Sequence, residues 1–116
     1  MKTLSDYSIY CTESQTRKAM ELGAPIEPQT PSTLIDTLCA FCGDGMYIIP
    51  TAEQLIGWLE EQGILIETAA GMTKWYGYAH NGKQYINREG YSSRKEATLA
   101  AIDAALNYLN KNEKNG

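Results

Sequence analysis

The strongest constraint on the fold is a hairpin signal in the last third of the chain. Asn81–Gly82 is the dipeptide favoured in a two-residue type I′ turn, because both positions require a positive φ. The flanking residues 74–80 and 84–87 contain many side chains that favour strands, tyrosine above all. The sequence therefore predicts two antiparallel strands joined by a tight turn at Asn81–Gly82.

A helix start follows this hairpin closely. Ser93 and Glu96 have the spacing of a capping box, in which each side chain accepts a hydrogen bond from the other residue's backbone N–H. An apolar stripe then recurs with helical period to about residue 109, and alanines beside it would let the helix lie close to a sheet. The stripe consists of Leu99, Ile102, Leu106 and Leu109, widened by Ala97, Ala101, Ala104 and Ala105.

Two further helices are predicted by the same kind of signal. In each, a threonine is followed three residues later by a glutamine, and a glycine ends the pattern. These signals are Thr12, Gln15 and Gly23 for a helix over 13–22, and Thr51, Gln54 and Gly63 for a helix over 52–62. Residues 64–68 then predict a strand.

The order of these elements predicts an α+β fold. From residue 51 the order is α-β-β-β-α, and short connections favour a three-stranded antiparallel meander packed against helices. Residues 1–50 form a helix and a proline-rich extension packed on that core, residues 51–110 form the αβββα domain, and residues 111–116 form a frayed tail. Residues 34–41 fit a helix or a strand equally well, and residues 46–49 suggest a short strand.

Composition limits the classes of partner and the compartment. A chain of 116 residues predicts one domain, and its net charge of −4 argues against binding a polyanion by bulk charge. The N-terminal residues lack the apolar region of a signal peptide, and no apolar run is long enough for a bilayer. Three cysteines without a secretory signal favour reduced thiols, so we expect a cytoplasmic protein with no membrane contact.

Residues 51–109 resemble the double-stranded-RNA-binding domain. The resemblance is carried by Asn-Gly-Lys-x-Tyr in the second hairpin and by Gly-x-x-Ser-Arg-Lys-Glu-Ala at the last helix. It implies that Arg94 and Lys95 contact phosphates, with Lys74 and Lys83 as possible extensions of the patch. The family's third basic position falls on Thr98, and its Gly-Pro-x-His loop is replaced by Ala-Gly-Met at residues 70–72.

The whole chain also resembles small uncharacterised proteins encoded in prophages and mobile elements of gut bacteria. The motifs are Thr-x-x-Gln, then Glu-Leu-Gly-Ala-Pro-Ile-Glu, then Pro-Thr-Ala-Glu-Gln-Leu-Ile-Gly-Trp-Leu-Glu-Glu. The resemblance implies no known activity, and an accessory or adaptor role is the expectation that fits it.

The cysteines and the histidine do not make a recognisable metal or redox site. Cys39 and Cys42 form one Cys-x-x-Cys pair, whereas structural zinc needs four ligands, and the remaining candidates Cys11 and His80 come from distant segments. A redox pair would be followed by a helix N-terminus, and here Gly-Asp-Gly follows. We therefore expect free thiols, no metal and no cofactor.

No catalytic site is predicted either. His80 is the only histidine, it lies beside the predicted turn, and no nucleophile–base–orienter set surrounds it in the sequence. Phosphate-binding glycine motifs are missing as well.

The aromatic strand allows two interpretations. Alternation places Trp75 with Gly77 and Ala79 on one face, and Tyr76, Tyr78 and His80 on the other. If the tyrosine face is open, it is a surface for stacking bases or a partner. Because large aromatics dominate cores, the favoured interpretation is that the tyrosines are covered on both faces.

The sequence as a whole predicts a non-enzymatic binding or adaptor protein that acts through protein–protein contacts. The alternative is binding of double-stranded RNA through Arg94 and Lys95. Two or three phosphate contacts give weak, salt-sensitive binding, so we expect no specific duplex binding at physiological ionic strength.

Overall fold

The computed structural model describes residues 8–28, 39–42 and 45–115 of the chain. They form three helices and five strands, α1 (Glu13–Glu21), β1 (Cys39–Cys42), β2 (Gly45–Ile48), α2 (Ala52–Glu61), β3 (Leu65–Ala70), β4 (Trp75–His80), β5 (Tyr85–Tyr91) and α3 (Arg94–Asn115). Strands β3, β4 and β5 make an antiparallel meander in sequence order, and helices pack against it. The predicted α+β fold with α-β-β-β-α order is therefore confirmed.

Two of the three predicted capping boxes are complete. At α1 the Gln15 N–H donates to Thr12 Oγ1 and the Thr12 N–H donates to Gln15 Oε1, both at 3.1 Å. Thr51 and Gln54 make the same pair at α2. At α3 only half of the prediction holds: Ser93 Oγ accepts from the Glu96 N–H, but the Glu96 carboxylate accepts from the N–H and hydroxyl of Ser92.

The turn between β4 and β5 is shifted by one residue from its predicted position. The Asn81 N–H donates to the Gln84 carbonyl, so Gly82 and Lys83 are the central residues and Gly82 has a φ of +87°. The prediction of a type I′ turn centred on Asn81–Gly82 is wrong. Its cause is an irregularity in the ladder, where Ala79 pairs with Asn87 but His80 pairs with Tyr85, so one extra residue lies in β5.

The core lies between the three helices and the covered face of the sheet. Helix α3 contacts all three strands of the meander, and its fully buried residues are Ala97, Ala101, Ile102, Ala105 and Leu106. Leu99, which the sequence places at the start of the apolar stripe, is only half-buried. Alanines occupy the buried positions instead, because α3 approaches β4 closely. A Cβ on Gly77 would overlap with the backbone of Ala97.

Helix α1 packs on α3 through polar groups. Gln15 is 3% exposed, and its Nε2 donates to the Leu99 carbonyl at 2.7 Å. Lys18 Nζ lies 3.3 Å from Asp103 Oδ1 on the next turn of α3. These two contacts add to the burial of Ala19, which is fully buried and belongs to the core cluster.

Two further outcomes concern the C-terminal end of α3 and the segment between α1 and α2. Helix α3 was expected to end near residue 109 and instead continues to Asn115, because no glycine or proline interrupts the sequence before Gly116. The end of the ambiguous segment 34–41 lies in β1, and β2 covers most of the strand suggested at residues 46–49; the two strands pair, with Cys39 opposite Ile48. Residues 29–33 of the proline-rich stretch and residues 34–38 of the ambiguous segment lie outside the described residues. No described helix has both the length and the apolar composition required to cross a bilayer.

Candidate functional site

The two faces of the meander differ in what covers them. On β4, Gly77 and Ala79 are buried beneath α3, whereas Tyr76 is 36% exposed and Tyr78 and His80 are half-buried. Among the described helices and strands, only α2 and α3 contact this sheet, and both lie on the Gly77 side. The face that carries the tyrosines therefore has no described element over it.

We call this surface the open face. The strand register assigns to it Leu65, Glu67 and Ala69 of β3, Tyr76, Tyr78 and His80 of β4, and Tyr85, Arg88 and Gly90 of β5. The favoured expectation was that the helices and residues 1–50 cover the tyrosines, but no described helix contacts this face and Tyr76 is 36% exposed. Small residues lie beneath α3, so the large rings occupy the side away from the helix.

The aromatic rings of the open face form one continuous cluster. The ring centroids of Tyr76 and Tyr78 are 6.5 Å apart with planes at 19°, and those of Tyr78 and Tyr85 are 5.7 Å apart at 52°. His80 meets the same Tyr85 ring edge-on at 5.7 Å. Tyr85 is 56% exposed, so the cluster presents apolar ring surface to solvent.

Tyr76 is held in place by two glycines. A Cβ on Gly71 would lie 2.7 Å from Tyr76 Cε2, and a Cβ on Gly90 would lie 3.2 Å from Tyr76 Cε1. The side chain of Lys74 lies at the same point, because its Cδ is 3.0 Å from that Gly90 position. The missing side chains at Gly71 and Gly90 therefore leave the space that the Tyr76 ring occupies.

Polar groups occupy the other end of the cluster. His80 Nδ1 accepts a hydrogen bond from the Gly82 N–H at 3.3 Å, and His80 Nε2 is 3.7 Å from Glu67 Oε2. The Glu67 side chain remains 63% exposed, so it adds one accessible carboxylate to the ring surface. Neither contact of His80 is to a nucleophile, which leaves the histidine without the partner that acyl-transfer chemistry needs.

The predicted basic residues do not form a single patch. Lys74 precedes β4 and Lys83 follows it in the turn, so a whole strand of about 20 Å separates them. Arg94 and Lys95 are exposed in the first turn of α3, and Arg94 lines a cleft between the N-termini of α2 and α3 on the helix side of the sheet. The structure thus brings Lys74 to the open face and keeps Arg94 away from it.

That cleft has a volume of about 480 Å³ and a mixed lining. Arg94 and Glu53 contribute opposite charges, Thr51 and Thr98 contribute hydroxyls, and Ile56 and Ile66 contribute apolar surface. Thr51 and Thr98 are already used, since Thr51 caps α2 and Thr98 Oγ1 donates to the Arg94 carbonyl at 2.8 Å. The cleft therefore offers no convergent set of groups for a reaction.

Cys11 is a free thiol and is deeply buried. Cys11 is 5% exposed, and its Sγ lies 3.8 Å from the Thr51 carbonyl. Burial raises the pKa of this thiol from its ordinary value of 9.0 to about 12. Within residues 8–28, 39–42 and 45–115, no group of three or more His, Cys, Asp or Glu side chains is arranged to hold a metal ion.

Alkaline pH should therefore weaken the fold through Cys11. The raised pKa means that the folded state favours the protonated thiol. The contribution of the thiol to the free energy of unfolding is therefore complete below pH 9 and is lost as pH rises towards 12. Urea unfolding should show that the free energy of unfolding of the wild type falls by about 2 kcal/mol more than that of Cys11→Ala between pH ~8 and ~10.5. An equal loss in both proteins would show that the thiol is solvated.

Sequence reasoning missed Glu67 and Tyr85 as members of the surface. Their place depends on strand register, which pairs Glu67 with Tyr78 and His80 with Tyr85.

No known protein-family model matches the chain, and neither a curated protein nor a solved structure matches it.

Proposed function

We propose that this chain is a non-enzymatic binding protein and that a partner protein docks on its open face. The observation that carries the proposal is the exposed, contiguous cluster of Tyr76, Tyr78 and Tyr85 on a rigid sheet. Tyrosine is enriched where proteins meet, because it supplies a large apolar area with a polar tip at little entropic cost. The absence of a nucleophile next to His80 among the described residues supports a binding role over catalysis.

The charge of the chain favours a protein over a nucleic acid. Glu67 of β3 and Arg88 of β5 both pair with Tyr78, so the register gives the middle of the open face one acidic and one basic residue. Lys74 is at one end of the row, and the chain as a whole carries a net charge of −4. Counterion release, which provides most nucleic-acid affinity, would therefore be small.

Duplex RNA is the second candidate because Arg94 and Lys95 are exposed at the start of α3, as the resemblance requires. The macrodipole and free N–H groups of a helix start add to their attraction for phosphate. Their separation from Lys83 limits the number of simultaneous phosphate contacts.

Paired variants should separate the two candidates. Tyr78→Ala with Tyr85→Ala is expected to abolish capture of a specific protein from the native host, because it removes the centre of the ring cluster. Arg94→Ala with Lys95→Ala, which leaves the open face intact, should capture the same protein as the wild type. Bound proteins are identified by mass spectrometry and bound nucleic acid by sequencing.

A direct titration completes the comparison. The wild type should show no submicromolar binding to an RNA duplex of ~20 base pairs at ~150 mM salt. Submicromolar affinity that Arg94→Ala with Lys95→Ala abolishes would overturn the choice of partner class.

A further inference from the structure

We infer that the outer edge of β3 binds an extended segment of another protein as a further, antiparallel strand of the sheet. The inference goes beyond the proposed function, because it concerns the backbone edge of the meander and not the ring cluster of the open face. It follows from three observations: the backbone groups of β3 that the ladder leaves unpaired, the regularity of that edge, and the cleft beneath it.

The first observation is that every second residue of β3 directs its backbone groups away from the sheet. The Gly71 N–H donates to the Lys74 carbonyl at 2.7 Å, which closes the hairpin of β3 and β4. Because an antiparallel ladder repeats every two residues, Ala69 and Glu67 bond to β4 in the same way. The residues beside them, whose N–H and C=O groups point outwards, are Ile66, Thr68 and Ala70.

The bonds on the other side of β4 agree with this assignment. The Asn81 N–H donates to the Gln84 carbonyl in the next hairpin, so the backbone groups of Asn81 and Ala79 point towards β5. Those of Tyr78 then point towards β3, where Tyr78 pairs with Glu67. No backbone hydrogen bond between described residues involves the outward groups of β3. An extended chain satisfies such a row of donors and acceptors, because its own N–H and C=O groups have the same spacing.

The second observation is that this edge lacks the features that prevent strand addition. The register of β3 with β4 runs without a shift from Leu65 to Ala70, and the sequence Leu-Ile-Glu-Thr-Ala-Ala contains neither lysine nor proline. The opposite edge is different, because the register of β5 shifts between the partners of Ala79 and His80. Strand addition is therefore expected at β3 and not at β5.

The third observation is that the cleft of about 480 Å³ lies beneath this edge. Ile66 and Thr68 line it from β3, and Glu53 and Ile56 line it from α2. Among the described strands, α2 contacts only β3, so the helix lies towards the outer side of the sheet. Alternate side chains of an added strand would point to this side and enter the cleft.

The lining of the cleft specifies the side chains of the added strand. Ile56 and Ile66 supply apolar surface, while the opposite charges of Glu53 and Arg94 favour neither an acidic nor a basic side chain. Valine suits the helix side of the added strand, and threonine suits the side that continues the open face. A second copy of this chain fits less well, because pairing two β3 edges would bring α2 of one copy against α2 of the other.

The test uses the full chain and a synthetic peptide of about 8 residues in which valine alternates with threonine. Amide hydrogen exchange in the free protein should be fast at Ile66 and Thr68 and slow at Glu67. The peptide should slow the exchange of the first two amides in a saturable way, with a Kd below ~1 mM. Slow exchange at Ile66 and Thr68 in the free protein would show that the edge is already covered, and the inference would be wrong.

Methylation of the peptide backbone separates edge pairing from side-chain contact. In an antiparallel pair, the residue that bonds to Thr68 has its side chain on the same face as Thr68, so it is a valine. N-methylation of the valines should therefore weaken binding at least ~10-fold, whereas N-methylation of the threonines, whose N–H groups face solvent, should weaken it less than ~3-fold. Equal affinities of the two methylated peptides, or a loss confined to the methylated threonines, would contradict the inference.

Thr68→Pro is the matched variant of the protein. The Thr68 N–H lies outside the ladder, so proline removes an outward donor without breaking a bond to β4. The variant should keep the circular dichroism of the wild type and lose the peptide. If it does not fold, the two methylated peptides still decide the outcome.

Tyr78→Ala with Tyr85→Ala is the control, and its affinity for the peptide should equal that of the wild type. If the peptide does not bind to the wild type but this double variant still abolishes capture of the native partner, the inference about the edge fails and the proposed function stands.

Discussion

Gly77→Ala is expected to destabilise the protein by about 3 kcal/mol, because a Cβ there would overlap with the Ala97 backbone of α3. Backbone atoms cannot rotate away as a side chain can, so α3 would have to move off the sheet. Ala101, Ala105 and Leu106, all fully buried along the same helix, would lose packing together. Thermal unfolding should show a decrease in Tm of about 10 °C.

Gly57→Ala is the matched control for this experiment. Gly57 lies within α2, is exposed, and has no atom within 4 Å of its added Cβ. Alanine there should stabilise the protein by roughly 0.5–1 kcal/mol through helix propensity. Equal effects of the two substitutions would show that α3 does not lie against β4 at Gly77.

Gln15→Glu should cost about 3 kcal/mol at neutral pH, although glutamate preserves the capping box. Gln15 Nε2 donates to the Leu99 carbonyl at 2.7 Å in a buried position. A carboxylate has no proton to donate, so two acceptors would face each other and a charge would be buried. The destabilisation should shrink near pH ~4, since a protonated carboxyl can donate, and urea unfolding at both pH values measures it.

Gln54→Glu provides the comparison at the equivalent position of α2. Gln54 makes the same capping box with Thr51, but it is exposed. No described hydrogen bond of Gln54 corresponds to the one that Gln15 donates to the Leu99 carbonyl. Its replacement should change stability by less than ~0.5 kcal/mol, because a carboxylate in the first turn also suits the helix dipole. If both substitutions are equally mild, Gln15 does not join α1 to α3.

Short-range signals in the sequence predicted the elements well, because the interactions that form them are local. The capping pairs at Thr12 and Thr51 and the helix ends at Gly23 and Gly63, both with positive φ, follow from residues within one turn of each other. The same reasoning failed for the β4–β5 turn. Its position depends on an extra residue in β5, which is a property of the ladder and not of the Asn81–Gly82 dipeptide.

The choice of buried face needed long-range information that a single strand does not contain. Alternation along β4 separates Tyr76 and Tyr78 from Gly77 and Ala79, but it does not say which set meets the helix. The alanine line of α3 was the available signal, because small residues on a helix match small residues on the strand beneath it. The general rule that aromatics are core pointed the other way and was wrong here.

The candidate surface was predicted only in part. Tyr76, Tyr78 and His80 were correctly assigned to one face, whereas Glu67 and Tyr85 join them through cross-strand pairing. Arg94 and Lys95 were expected to act together, whereas the sequence did not assign Lys74 and Lys83 to the same side, and the sheet separates these two lysines by the length of a strand. The proposals that a protein is the partner, and that duplex RNA is not, remain predictions.

Tyrosine nitration of the free protein and of the captured complex tests the central claim most directly. The claim is that the open face is accessible in the free chain and covered by the partner. Mass spectrometry should find Tyr76 and Tyr85 modified readily in the free protein and protected in the complex. Equal modification of both tyrosines in the free protein and in the complex would contradict the account.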